Sequence, residues 1–262
     1  MPLVATALLP HAPLLAPHVG RENRRQLRRT LETIAQINAE LYALKPSVIV
    51  VLTPHGQAPD DSFFVNVAET FSLDLRRFGD LETMVTVRGN PTFAYRLRRA
   101  ARRHRLPVTL GTNPAADYGV TVPLALLTSI HARVSVIPIS MTTLPLRVHE
   151  HFGRLLADTT HDQRERIAII GSMELGHHPS ADQTSGARRH EYDRRVVQAI
   201  REGQLAPIMT LDAHLVETAN TCAQRVLATL SGVLGQDRTH PSQLSYEAPF
   251  GVGELAALFP RI

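Results

Sequence analysis

Cysteine occurs once in the 262 residues, tryptophan is absent, and lysine occurs once, at Lys45. A lone Cys222 closes no internal disulfide, so an oxidising compartment offers the chain nothing and a cytoplasmic location is expected. Aromatic residues are only 5% of the chain, poor material for stacking nucleic-acid bases. No apolar run is long enough to span a bilayer, so no membrane partner is expected. The apolar start, residues 1–10, lacks a basic lead and a small-residue cleavage site. It runs straight into His11 and Pro13 and reads as a first strand, not a signal peptide.

The net charge is +4, and its basic side is almost wholly arginine. Arginine pairs such as Arg24-Arg25, Arg98-Arg99, Arg102-Arg103 and Arg194-Arg195 recur at helical spacing opposite apolar residues, as solvated helix faces do. There is no zinc-finger spacing and no RNA-binding aromatic motif. No nucleic-acid partner is expected.

Hydrophobic residues are 44% of the chain, enough for a sizeable core. Short runs rich in Val and Ile read as buried strands at Leu3–Leu9, Ser47–Thr53, Phe63–Ala68, Val134–Ile139 and Ile167–Gly171. Amphipathic stretches between them read as helices: Glu22–Leu44, Pro91–Arg105, Val122–Ala132, Leu146–Asp158, Ala187–Glu202 and Asp212–Leu234. The alternation predicts an α/β fold, one domain over 1–262, with a mostly parallel central sheet flanked by helices. Phe63–Val67 is a candidate antiparallel addition. In such sheets functional groups collect past the carboxyl ends of the strands.

Three histidines have that address. His11 follows Leu3–Leu9 and Pro10; His55 follows Val48–Thr53 and Pro54; His177 follows Ile167–Gly171 after a turn. A preceding proline fixes φ, so each Pro-His pair leaves the sheet on a stiff path, and little entropy remains to be lost on binding a metal. Imidazole suits iron, zinc, copper and nickel, so two histidines do not choose the ion. The chain has 13 histidines, and His104, His131, His149, His151, His161, His190 and His240 read as surface or turn residues.

Leu9-Pro10-His11-Ala12-Pro13 and Thr53-Pro54-His55-Gly56 resemble the two metal-histidine motifs of the class III extradiol, LigB-type ring-cleaving dioxygenases. Gly171-Ser172-Met173-Glu174-Leu175-Gly176-His177 is similar to that family's Gly-Ser-Gly-Asp-Leu-Ser-His segment. Asp117-Tyr118-Gly119 followed by Val122-Pro123-Leu124 resembles its Asp-His-Gly…Val-Pro-Leu motif, and Tyr246–Gly253 its Tyr-Glu-Gly-Pro-Phe-Gly-Val-Gly segment. The matches run in family order from residue 9 to residue 253.

The resemblance implies Fe(II) held by His11 and His55, His177 as acid/base, and a small aromatic diol and O2 as partners. It also implies a homo-oligomer and, as in some relatives, a small partner subunit. Two departures stand out. Tyr118 takes the place of a family histidine, and a phenol with pKa near ~10 is a poor proton shuttle, so an orienting hydrogen bond is its expected role. Thr221, in Thr221-Cys222-Ala223-Gln224-Arg225, stands where the family carries its carboxylate ligand. Glu217, one helical turn earlier, is the carboxylate assigned to the metal, with Cys222, Gln224 and Glu247 as alternatives. His178 ranks second to His177.

A non-haem Fe(II) extradiol dioxygenase is therefore the expected function. One alternative is a Memo-like metal-binding or interaction protein without ring opening, since related Memo-type proteins use a cysteine at this helix. Another is a zinc-dependent hydrolase, although no His-Glu-x-x-His helix is present. A serine hydrolase lacks its Gly-x-Ser-x-Gly elbow.

Overall fold

A computed structural model describes residues 2–129, 133–161, 164–177, 183–235 and 238–261, with side chains left aside at 183–189. Strands β1 (Leu3–Leu9), β2 (Val48–Thr53), β7 (Ser135–Ser140) and β8 (Ile167–Ser172) form its centre. They lie side by side and parallel in the order β7-β2-β8-β1. Their near-unbroken burial follows from helices covering both faces, which is why they read as continuous apolar runs.

The remaining strands are β3 (Phe63–Asn66), β4 (Thr70–Asp74), β5 (Met84–Gly89), β6 (Val108–Gly111), β9 (Gln243–Glu247) and β10 (Glu254–Pro260). β10 pairs antiparallel with β1, and β9 with β10. β5 joins β7 in parallel and carries β4 antiparallel at the edge. β3 lies antiparallel to β7, as expected for Phe63–Val67, and parallel to β6. The sheet is thus mixed around a parallel centre.

The helices are α1 (Pro17–Gly20), α2 (Arg28–Leu44), α3 (Pro91–Arg103), α4 (Tyr118–Leu126), α5 (Leu146–His161), α6 (Gln183–Arg201), α7 (Ala213–Ala219) and α8 (Ala223–Leu234). Alternate strand residues face opposite cores. Val50, Leu52, Ile137 and Ile169 pack with Phe93, Phe152, Leu156 and Leu230; Ile49, Val51, Ala168 and Ile170 pack with Ile34, Ile37, Leu41 and Val122. Each such fully buried side chain contributes about 1.5–3 kcal/mol. Among the described residues no helix is long and apolar enough to cross a membrane.

Three expectations change. Residues 21–27 are 3-10 turns rather than the first turns of α2. His149 is buried, not a surface residue: its ring nitrogen Nε2 donates to the Thr142 carbonyl at 3.1 Å. The helix expected over Asp212–Leu234 breaks in two. α7 ends on Asn220 in the left-handed region (φ 48°), and α8 begins after Cys222.

Register brings the strand ends to one line. Leu9 lies opposite Ser172 and Thr53 opposite Ser140, with β8 between β1 and β2. The residues just past β1, β2 and β8 therefore share one edge of the sheet.

Candidate metal centre

His11 leaves β1 fully buried, and its Nδ1 meets the Ser172 hydroxyl at 2.9 Å. A proton on Nδ1 donates to that oxygen and leaves the Nε2 lone pair free, the usual support for a metal-binding imidazole. His55 is held by its backbone: its N–H donates to Thr53 Oγ1 at 3.2 Å, and that hydroxyl donates to Asp117 Oδ1 at 2.8 Å. Asp117 also caps α4 by accepting from the Gly119 N–H at 2.8 Å, which fixes Tyr118 as the first helical residue. One carboxylate thus orients both His55 and Tyr118.

The two Nε2 atoms lie 3.0 Å apart with the rings nearly perpendicular. Two nitrogens each ~2.1 Å from one ion and at right angles about it stand about 3.0 Å apart. The pair therefore fits two adjacent positions on a single metal. The Tyr118 hydroxyl donates to His55 Nε2 at 2.8 Å, and its ring stacks on the imidazole. Burial pushes the phenol up to about 12, so it stays a neutral donor.

The loop after β8 supplies the rest. Met173 N–H donates to the Leu9 carbonyl, Leu175 N–H to Gly253, and His177 N–H to Ala219. Gly253 N–H returns a bond to Gly176, whose own N–H reaches Asp193 Oδ1 at 2.8 Å. Tyr246 donates to the other Asp193 oxygen at 2.6 Å, so the Tyr246–Gly253 segment is a brace for this loop. Within it, Glu174 Oε2 stands 3.1 Å from His177 Nε2 and 3.7 Å from His11 Nε2.

Cys222 precedes α8 and points inward. Its sulfur lies 3.7 Å from His11 Nε2, accepts from the Glu174 N–H at 3.3 Å and donates to the Glu174 carbonyl at 3.4 Å. Among the described residues two groups have ligand atoms within 4.8 Å of one another: His11, His55 and Cys222, and Glu174, His177 and Cys222. The donor set of imidazoles, carboxylate and thiol suits a transition metal.

Glu217 belongs to neither group. It is exposed on α7, and the break at Asn220 removes the continuous helix that would have carried it one turn before Cys222. Gln224 is engaged elsewhere, accepting from Tyr192 and donating to the Ile208 carbonyl. Glu247 accepts from the Thr30 N–H at 2.7 Å and ties β9 to α2. Thr221 Oγ1 donates to the Glu174 carbonyl at 3.1 Å and accepts from the Ala223 N–H, so it holds the loop to α8. His178 lies outside the described residues. Glu174 and Ser172 went unassigned in the sequence, although both stand inside the Gly171–His177 motif.

Burial drives the electrostatics. It lowers His11 to about 4, with Glu174 opposing and the other two histidines assisting, and it lowers His55 as well. Burial also raises Glu174, but the contact with His177 and the neighbouring imidazoles outweigh it and hold the carboxyl below its ordinary value. Glu254, buried at the start of β10, goes the other way: burial and the Glu174 charge push it well up and keep it neutral. Burial raises the Cys222 thiol to about 12. Both His11 and His149 stand at about 4, against 6.5 when unfolded. The unfolded chain binds the extra protons, so metal-free protein is fully stabilised above pH 6.5 and loses that stability as pH falls towards 4. The loss is on the order of 3 kcal/mol per imidazole. Urea midpoints are expected to stay level above pH 7 and fall steadily between pH 6.5 and 4; a level profile through that window would contradict it.

Fold and site together define an α/β protein with imidazole, carboxylate and thiol groups that could hold a metal ion at the carboxyl edge of its sheet. The chain belongs to the LigB family: the catalytic LigB subunit of aromatic ring-opening dioxygenase matches residues 5–259. It is 24% identical over 257 residues to Protein CA_C1420 of Clostridium acetobutylicum, covering 94% of this chain. It spans 55% of the length of that relative. Among solved structures it resembles the uncharacterized protein JW3007 from Escherichia coli K12, with a TM-score of 0.63 and 17% identity, over 98% of this chain and 99% of that one. That likeness is one of fold.

Proposed function

We propose that this chain holds one Fe(II) between His11, His55 and Glu174 and opens a catechol-type aromatic ring with O2. The observation that carries the reading is the 3.0 Å approach of the two supported imidazoles, with an ionised carboxylate 3.7 Å from His11 Nε2. Two histidines and one carboxylate are a recurrent donor set for non-haem iron oxygenases. Iron, when bound, supplies chelation of the diol and passage of electron density from the ring to O2. The chain's own residues position and move protons. His177, 3.1 Å from Glu174, takes the proton of a catechol hydroxyl and returns it to the opened product, with the carboxylate steadying the imidazolium. Tyr118 donates a hydrogen bond towards the same space and does not shuttle protons, because its phenol stays neutral.

Cys222 favours a second reading. It groups with His11 and His55 more tightly than Glu174 does, and a His2Cys set fits a Memo-like metal site without ring opening. Anaerobic loading with Fe(II), followed by a catechol panel and oxygen, separates the two. Under the dioxygenase reading a coloured ring-opened product forms. Glu174→Gln then lowers kcat by about a hundredfold or more, as loss of a positioned charged group does, while Cys222→Ser keeps most of the activity. Loss of metal from Cys222→Ser, retention by Glu174→Gln and no turnover on any catechol would establish the second reading instead.

A further inference from the structure

We propose that the cleft between α3 and α5 is a second binding site, one that takes a compact polyanion of the oligophosphate class. It lies apart from the metal centre and does not depend on the ring-opening reading.

The cleft encloses about 690 Å³, within the range of small-molecule sites. Asn90, Arg164 and Glu165 mark its inner end. Asn90 donates at 3.2 Å to the hydroxyl of Ser135, the first residue of β7, and residues 164 and 165 lie just before β8. That is the amino edge of the sheet. A six-residue strand, about 20 Å long, separates it from the edge that carries His11 and His55.

Four arginines line the cleft. Arg96, Arg99 and Arg103 come from α3 at spacings of three and four, which sets them along one helix face. Arg164 comes from a separate segment. The sequence pairs Arg98-Arg99 and Arg102-Arg103 therefore divide. Arg98 and Arg102 are exposed outside the cleft, while Arg99 and Arg103 stand on its wall.

Arg96 lies 4.0 Å from one Glu165 oxygen, and the other accepts from Asn90 at 3.2 Å. Among the described residues Arg99, Arg103 and Arg164 have no ion-pair or hydrogen-bond partner. Asp158, on the α5 wall, is the one further carboxylate on the described lining, so the cleft is positive. Like charges gathered in one concavity repel, and a bound anion relieves that repulsion. Guanidinium forks match phosphate oxygens with paired N–H donors. Three unpaired forks on one cleft call for more than one anionic group. Aromatic surface is scarce: His104 is the only ring on the described lining, and it stands edge-on to His151. A nucleobase finds no platform there, so recognition falls on the phosphate chain.

The test is calorimetric titration of the metal-loaded full chain with inorganic tripolyphosphate, orthophosphate and a nucleoside triphosphate. Tripolyphosphate is expected to bind at least about tenfold more tightly than orthophosphate, and the nucleoside triphosphate about as tightly as tripolyphosphate. Arg99→Gln with Arg103→Gln removes two cleft charges. Arg98→Gln with Arg102→Gln removes two outer ones and changes the net charge equally. The first pair should weaken tripolyphosphate binding by at least about tenfold and the second by less than about twofold. Chelation of the bound metal by the probe acts on both variants alike, so the difference between them reads the cleft. Thermal melts without ligand check that both fold. Equal losses in the two variants reduce the cleft to diffuse surface charge and overturn the inference. So does tripolyphosphate binding no tighter than orthophosphate, or a nucleoside triphosphate bound far more tightly than tripolyphosphate.

Discussion

Replacing His55 by alanine is expected to weaken metal binding by at least about a hundredfold, since changes to outer-shell partners alone weaken it by ~10–100-fold. His55 is only half-buried and lies past the end of β2, so its loss leaves the strand core intact and the effect is confined to the centre. Ser172→Ala, which removes only the support behind His11, should weaken binding about tenfold. Metal content after dialysis and calorimetric titration with Co(II) or Zn(II) measure both. A folded His55→Ala protein that retained one metal per chain would remove the basis of the site. The two values also rank the histidines: a Ser172 effect as large as that of His55 would mean that His11 does not hold its orientation unaided.

The second large effect is structural. α5 and α8 cross at Gly153 and Gly232. A Cβ at Gly232 would fall on the Glu150 carbonyl oxygen, and one at Gly153 on that of Thr229. Alanine is favoured over glycine inside a helix by about 1 kcal/mol. Here the clash dominates: overpacking a rigid backbone contact typically costs 1–3 kcal/mol, and both helix backbones must part to relieve it. Gly232→Ala is expected to lose about 1 kcal/mol net, lowering the thermal midpoint by about 3 °C in a chain of this size. An unchanged or raised midpoint would show that the helices have room to separate. Because Cys222 stands at the start of α8, the same substitution should also disturb the metal centre.

Much of the architecture was legible because burial on both faces writes itself into composition. β1, β2 and β8 read as Val- and Ile-rich runs, and the Pro-His pairs after β1 and β2 marked the edge where His11 and His55 meet. Strands with other burial left weaker marks. Met84–Gly89 is largely exposed and pairs with β7 only through its last two residues, so its mark is the brief Val85-Thr86-Val87-Arg88 alternation and not an apolar run. β10 is buried like the centre, but Glu254 at its start obscures it.

The site was legible to the same degree and for the same reason. Histidines leaving three strands are visible in order; the carboxylate that stands beside them is not. Glu217 seemed suitable because Asp212–Leu234 has continuous helical periodicity, and no sequence signal is strong enough to mark Asn220 as left-handed. Glu174 escaped because its place beside His11 and His177 depends on how residues 173–177 turn, and that turn is set by Gly253, Asp193 and Ala219, all distant in sequence.

That bracing bears on when the centre comes into being during synthesis. His11 and His55 are made well before the loop bearing Glu174 and His177, and that loop is clasped by the backbone of Gly253, later still in the chain. A nascent chain still short of that glycine has the histidines but lacks the clasp. Ordering of residues 173–177 is therefore a late event, which waits for the segment around Gly253 to be made and to pack against them.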